Sequence, residues 1–186
     1  MSNVNAAGNY PRPVPGGYVM EISAVSNNEQ KEQLEICLEF TDGELKGYCA
    51  NIKDRFNFWP ARCTKSYKDR ALPFFKAFIN AVLASNADAD GLVIGDFEDV
   101  DETKLVGKAV GVVVGEREYD GNDGTRKKGL DWYNASFVSV DDVFKGNYEV
   151  PELRVTGSKA TVTESTGVVD MSSGFIGPVS DDDVPF

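Results

Sequence analysis

Histidine is missing from all 186 residues. Its absence removes the commonest side-chain general acid/base, every Ser-His or Cys-His nucleophile pair and every imidazole metal ligand. Any catalysis would fall to carboxylates, Lys or Tyr. Cysteine is also scarce: Cys37, Cys49 and Cys63 are an odd number, widely spaced, with no C-x-x-C pair. Without histidine they cannot complete a zinc site, and Cys37 and Cys49 read as small buried or half-buried side chains. No apolar run approaches the roughly 18 residues of a membrane span. Met1 to Gly17 has neither the basic nor the apolar stretch of a secretory signal, so the cytosol is the expected compartment. No catalytic residue, metal or cofactor is expected.

Positive charge is scarce overall but concentrated. The net charge is -11, yet residues 46–76 hold eight Lys or Arg against two Asp, a net of +6. Residues 88–102 carry seven acids and no base, and residues 157–186 carry five acids against Lys159. For a binder of polyanions this distribution matters more than the sum.

Hydrophobic periodicity sets the expected elements. Tyr18, Met20, Ile22 and Ala24 alternate with polar or small residues, as do Leu34, Ile36, Leu38 and Phe40, giving two strands. Tyr48, Ala50 and Ile52 alternate with Cys49, Asn51 and Lys53 and predict a third. Phe74, Phe75, Phe78, Ile79, Val82 and Leu83 fall at helical spacing and predict a helix over about 71–84. Its start has two candidates, a Ser66/Asp69 capping box and Pro73 in the first turn. The acidic stretch 88–102 reads as a loop, Val110 to Val114 as a buried strand, Tyr119 to Gly129 as a turn-rich connection, and Leu130 to Val140 as a fifth strand. Residues 1–156 then form one domain behind an extended N-terminal arm. Residues 157–186 are too poor in patterned apolar residues to offset their ordering entropy and are expected to be disordered.

Three strands, a helix, then two strands is the order of an OB-type barrel, a mainly β fold that binds oligonucleotides on strands 2–3 and the loops after strands 1 and 4. The segment that fits such chemistry runs off the expected third strand. Lys53, Arg55, Arg62, Lys65, Lys68 and Arg70 interleave with Phe56, Phe58, Trp59 and Tyr67. Cations track phosphates and aromatic faces stack on bases, at roughly 1–3 kcal/mol per base whatever the sequence. The bland alternative is a strand end with core aromatics and a solvated charged face. A second candidate is the connection after strand 4, where Arg117, Arg126, Lys127 and Lys128 are flanked by Tyr119, Trp132 and Tyr133. There Glu118, Asp120, Asp123 and Asp131 cancel the charge. A competing reading gives Asp96, Glu98, Asp99, Asp101 or Glu102 a metal-dependent nuclease role, though two-metal sites need carboxylates from several elements.

The chain ends Ser180-Asp181-Asp182-Asp183-Val184-Pro185-Phe186. This closely resembles the acidic tip of bacterial single-stranded DNA-binding proteins, which ends Asp-Asp-Asp-Ile-Pro-Phe or nearly so, with Val184 in place of Ile. The resemblance implies that Asp181, Asp182, Asp183, Val184, Pro185 and Phe186 recruit replication or repair proteins. Ring and terminal carboxylate would enter an apolar pocket rimmed by Arg or Lys. Pro15-Gly16-Gly17-Tyr18, Leu34-Glu35-Ile36 and Phe40 with Gly43-Glu44-Leu45-Lys46-Gly47-Tyr48 look like a family of tailed-bacteriophage proteins taken to be OB-fold single-stranded DNA binders. That likeness spans roughly residues 14–140 and implies a role in phage DNA replication and recombination within a bacterial host. RNA satisfies the same stacking chemistry. An adaptor that mimics the host tail without binding DNA is the main rival. Nothing in the sequence sets the oligomeric state.

Overall fold

The computed structural model describes residues 11–89, 91–94, 99–121 and 123–155. The expected disordered tail, the acidic tip and most of the N-terminal arm lie outside them.

Strand β1 (Gly16–Asn28) is long and carries an irregularity between Ile22 and Ala24. Such a bulge bends a strand and sharpens its twist. β1 therefore serves two neighbours: its second half pairs with β2 (Gln33–Phe40) and its first half with β6 (Ala109–Val114). β3 (Arg62–Ser66) adds to β2, and β9 (Ser136–Val138) adds to β6. The resulting antiparallel sheet, in the order β3-β2-β1-β6-β9, curls strongly into an open half-barrel. Leu34, Ile36, Leu38 and Phe40 of β2 face the core, as their alternation predicts, together with Met20 and Ile22 of β1.

Helix α2 (Leu72–Ser85) follows β3 and packs against β3, β6 and β9, joining the same core. Phe75, Phe78, Ile79 and Val82 are buried, and Phe78 meets Phe137 of β9 edge to face at 4.8 Å. Burying side chains of this size is worth about 1.5–3 kcal/mol each. Pro73 lies in the first turn, as one of the two expected starts requires. Ser66 instead belongs to β3 and donates its hydroxyl to Glu32 O. Among the described residues no ladder joins the edge strands β3 and β9. Lys65 bridges them with its side chain, 3.3 Å from Ala135 O and 4.5 Å from the Phe137 ring centre.

The expected third strand at 48–53 is a helix, α1 (Tyr48–Phe56). Tyr48, Cys49 and Ile52 form its inward stripe, whereas Ala50 is exposed. The deciding group lies on another strand. Glu39 of β2 accepts hydrogen bonds from Cys49 N at 3.0 Å and Ala50 N at 2.7 Å. It thereby satisfies donors that a helix start leaves open and places negative charge at the helix N-terminus. The true third strand, β3, sits inside the stretch that reads as a connection.

The expected long connection at 119–129 is largely a hairpin, β7 (Glu116–Asp120) with β8 (Arg126–Leu130). The expected strand at 130–140 breaks up. Leu130 ends β8, Trp132–Asn134 make a 3-10 turn, β9 follows, and α3 (Val140–Lys145) starts where the strand was to end. Ser139 caps α3 by accepting from Asp142 N at 3.1 Å, which fixes that boundary. Within the acidic stretch, β4 (Val93–Ile94) pairs with β5 (Asp99–Val100).

From α3 onward the chain straps across the outer face of β1 and β6. Tyr148 lies on Gly17, Val143 on Gly111 and Pro151 on Gly115; a Cβ at these glycines would come within 2.5, 2.6 and 2.8 Å of them. The strap explains why Val110 to Val114 is apolar throughout: Val110, Val112 and Val114 join the core, while Val113 is buried outside it. The strap ends in β10 (Arg154–Val155), parallel to β7. No described helix is long and apolar enough to cross a membrane.

Candidate nucleic-acid interface

A groove of about 640 Å³ opens on the outer face of β1, β2 and β3. Its floor follows one cross-strand row, because Ala24 pairs with Cys37 and Cys37 with Arg62. The end of α1 and the chain after it form one wall, with Lys53, Asn57, Phe58, Trp59 and Pro60. The base of the β7–β8 hairpin and the following turn form the other, with Arg117, Leu130, Trp132 and Tyr133. The two candidate segments of the sequence thus meet across one groove. Its lining holds three cations, four aromatics and no carboxylate, in a chain whose net charge is -11.

The aromatics are held to different degrees. The Trp59 indole N–H donates to Leu38 O at 2.8 Å, so the ring is anchored and half-buried at the groove wall. Trp132 is 8 % exposed and packs edge to face on Phe40 at 6.1 Å. Phe58 and Tyr133 are 55 % and 49 % exposed. Two fixed indoles and two open rings supply both a rigid platform and free faces for stacking.

The cations differ as well. Lys53 makes no ion pair among the described residues, and Arg62 makes one exposed pair with Glu35 at 2.6 Å. Such a pair is worth about 0–1 kcal/mol, little enough for a phosphate to displace. Arg117 has no carboxylate partner among the described residues. Its guanidinium lies 5.3 Å from the Tyr119 ring centre and 5.7 Å from that of Tyr133. Cys37 sits among these charges, half-buried, and burial raises its thiol pKa.

No protein-family model matches the chain, and no curated protein matches it.

The other expected contacts are scattered. Arg55 and Phe56 are exposed on the last turn of α1, with Phe56 65 % exposed. Lys65 belongs to the seam between β3 and β9, and burial lowers its pKa. Tyr67, Lys68 and Arg70 lie past the far end of β3, roughly 16 Å along the strand from Arg62. The Tyr67 hydroxyl donates to Asn27 at 3.1 Å. On the hairpin, Arg126, Lys127 and Lys128 each contact a carboxylate, within 3.0–3.4 Å. Of the acids considered for metal chemistry, Asp96 and Glu98 lie outside the described residues. Asp101 accepts from Thr103 N at 3.2 Å in a local turn, and Glu102 accepts from Asn27 at 3.4 Å. Among the described residues no group of three ligating side chains gathers.

Sequence reasoning ranked Arg117 with three cations of its hairpin and passed over Asn57. The signal for Asn57 is its place at the end of α1, in the left-handed conformation at φ 54. Asn tolerates that conformation and stops helices there.

Proposed function

We propose that this groove binds single-stranded DNA without strong sequence preference. The carrying observation is the lining itself, three cations and four aromatics with no carboxylate, drawn from segments some 60–70 residues apart in an acidic chain. Phosphates would sit on Lys53 and Arg62, and bases would stack on Phe58, Trp59 and Tyr133, with the buried Trp132 backing the wall. A duplex keeps its base faces inside its own stack and could use only the charges.

We also read the half-barrel as an OB-type barrel opened along one seam. The order β3-β2-β1-β6-β9 is that of an OB barrel's strands 3-2-1-4-5, with α2 in the usual place between the third and fourth. The groove then lies on strands 1 to 3 and against the connection between strands 4 and 5, where such barrels bind oligonucleotides. The acidic tip, Asp181 to Phe186, enters the proposal from its sequence alone, as the segment that recruits replication or repair proteins in a phage-infected bacterial cell.

Fluorescence anisotropy with a mixed-sequence single strand and its duplex, at low and high salt, tests the reading. Binding should favour the single strand and weaken with salt, with a log–log slope near -0.7 per phosphate neutralised. Cys37 locates the contact, because Cys49 and Cys63 are buried and burial holds the Cys63 thiol up at about 12. Maleimide labelling of Cys37 at mildly alkaline pH should slow when the single strand is bound. Equal affinity for the duplex, or unprotected Cys37 in a saturated complex, would remove the groove from consideration. No binding at low salt would leave the tail-mimicking adaptor as the better reading.

A further inference from the structure

Arg117 is placed unlike the other arginines around the groove and its hairpin. Arg62 faces Glu35, Arg126 faces Glu118 and Asp120, and Arg154 lies 3.7 Å from Asp131. Arg117 makes no ion pair among the described residues, and its Nε is buried without a hydrogen-bond partner. A guanidinium carries five N–H donors, and leaving such a group desolvated and unpaired costs stability.

The surroundings hold the group in place without using its donors. Tyr119 and Tyr133 contribute ring contacts at 5.3 and 5.7 Å. Cation–π contacts of this kind fix a guanidinium and leave its N–H groups uncommitted. The nearby carboxylate, Asp131, is 5 % exposed; its Oδ2 accepts from Asn134 at 2.8 Å and lies 3.7 Å from Arg154, while its Oδ1 is, like Arg117 Nε, buried without a hydrogen-bond partner and forms no ion pair with Arg117. Glu116 and Glu118 face Lys128, and Glu118 also faces Arg126. The hairpin's Glu116 and Glu118 are therefore matched to other cations, and Arg117 is the one cation of this hairpin that lines the groove. A planar donor fork, fixed by rings and left unpaired in a groove without carboxylates, fits a planar or tetrahedral oxyanion.

We propose that Arg117 seats one phosphodiester of the bound strand through its guanidinium edge, with Tyr133 stacking on the adjoining base. The proposal rests on the single-strand reading of the groove and names the residue that grips its backbone there. It also accounts for the orphaned Nε as a cost carried by the empty groove and relieved when an anion arrives.

The test uses the full chain, a fluorescein-labelled oligothymidine, and the variants Arg117→Met and Arg117→Lys. Arg117→Met should weaken binding about tenfold or more at low salt and reduce the salt slope by about 0.7. Its melting temperature should change little, since no hydrogen bond or ion pair is lost and the two ring contacts are offset by relief of a desolvated charge. Arg117→Lys should keep the slope yet still bind more weakly, because an ammonium cannot reproduce the fork. Wild-type affinity in Arg117→Met would overturn the seat while leaving the groove reading intact. Should Arg117→Met lose stability, Arg117→Lys decides, and wild-type affinity in that variant would overturn the fork. Failure of the wild-type chain to bind oligothymidine would instead overturn the groove reading itself, and the seat with it.

Discussion

Residues 53–62 and 126–128 are both basic and both flanked by aromatics, yet the fold gives them opposite fates. On the hairpin, antiparallel register sets Glu118 opposite Lys128 and Asp120 opposite Arg126. Arg126 reaches Asp120 at 3.0 Å and Glu118 at 3.4 Å, Lys127 reaches Asp123 at 3.0 Å, and Lys128 reaches Glu116 at 3.4 Å. Across the groove Lys53 has no such partner among the described residues, and Arg62 has only Glu35. Exposed cross-strand pairs of this kind are screened by solvent and add little to the hairpin's stability. Their larger consequence is that the tip presents no net positive charge to an anion. A count of Lys and Arg along a segment therefore misleads wherever pairing brings at least as many acids alongside. What remains for a ligand is the residue that register leaves unmatched.

Charge reversal gives the largest expected difference between the two regions. Lys53→Glu with Arg62→Glu, and Lys127→Glu with Lys128→Glu, change the net charge by the same amount. The groove pair should weaken single-strand binding by about 100-fold or more at low salt, and the hairpin pair by about threefold or less. Anisotropy titrations of both variants against one oligonucleotide make the comparison. Equal losses would mean that the long-range field alone matters and that the two regions do not differ. A smaller effect of opposite sign tests the hairpin directly. Glu118→Gln deprives both Arg126 and Lys128 of a partner. Affinity should then rise about two- to fivefold, with a steeper salt dependence. Unchanged affinity and slope would place the hairpin tip out of reach of the strand.

Much of this was legible where one face of an element meets the core. β2 alternates because one side packs inward, and α2 shows a broad apolar stripe because that side packs into the same core. α1 was not legible. Tyr48, Ala50 and Ile52 alternate like a strand, and the group that starts a helix there, Glu39, lies ten residues upstream on β2. The strap was equally hidden: nothing local to Gly17, Gly111 or Gly115 announces the Tyr148, Val143 and Pro151 that fill them. Of the site, Phe58, Trp59 and Arg62 were readable as a dense basic-aromatic run. Their closure against Arg117, Trp132 and Tyr133 depends on how the sheet curls, which no spacing encodes. Lys65 shows the same limit from the other side, since it belongs to that basic run in sequence but turns to the seam in space.

Lys65 is thus a third kind of cation, paired with no acid among the described residues and not lining the groove. Burial lowers its pKa by disfavouring the ammonium, with a smaller opposing effect from Cys63. Between that lowered pKa and the ordinary lysine value, the unfolded chain binds the proton more readily than the folded one. The sign follows: this group's contribution to stability rises with pH through that alkaline window and is least favourable below it. Lys65→Met removes the contribution while keeping a long apolar side chain beside Phe137. At neutral pH the variant should match wild type within about 1 kcal/mol, since loss of the bond to Ala135 O is offset by loss of a buried charge. Urea unfolding at several pH values then reads the difference between the two proteins. Wild type should gain on the variant as the pH approaches 10. The buried Cys63 thiol, held up at about 12, acts in the opposite direction over an overlapping range, but it is present in both proteins and largely cancels from the difference. A difference that stays flat with pH would mean that the Lys65 ammonium is solvated, and that the seam between β3 and β9 is open to water.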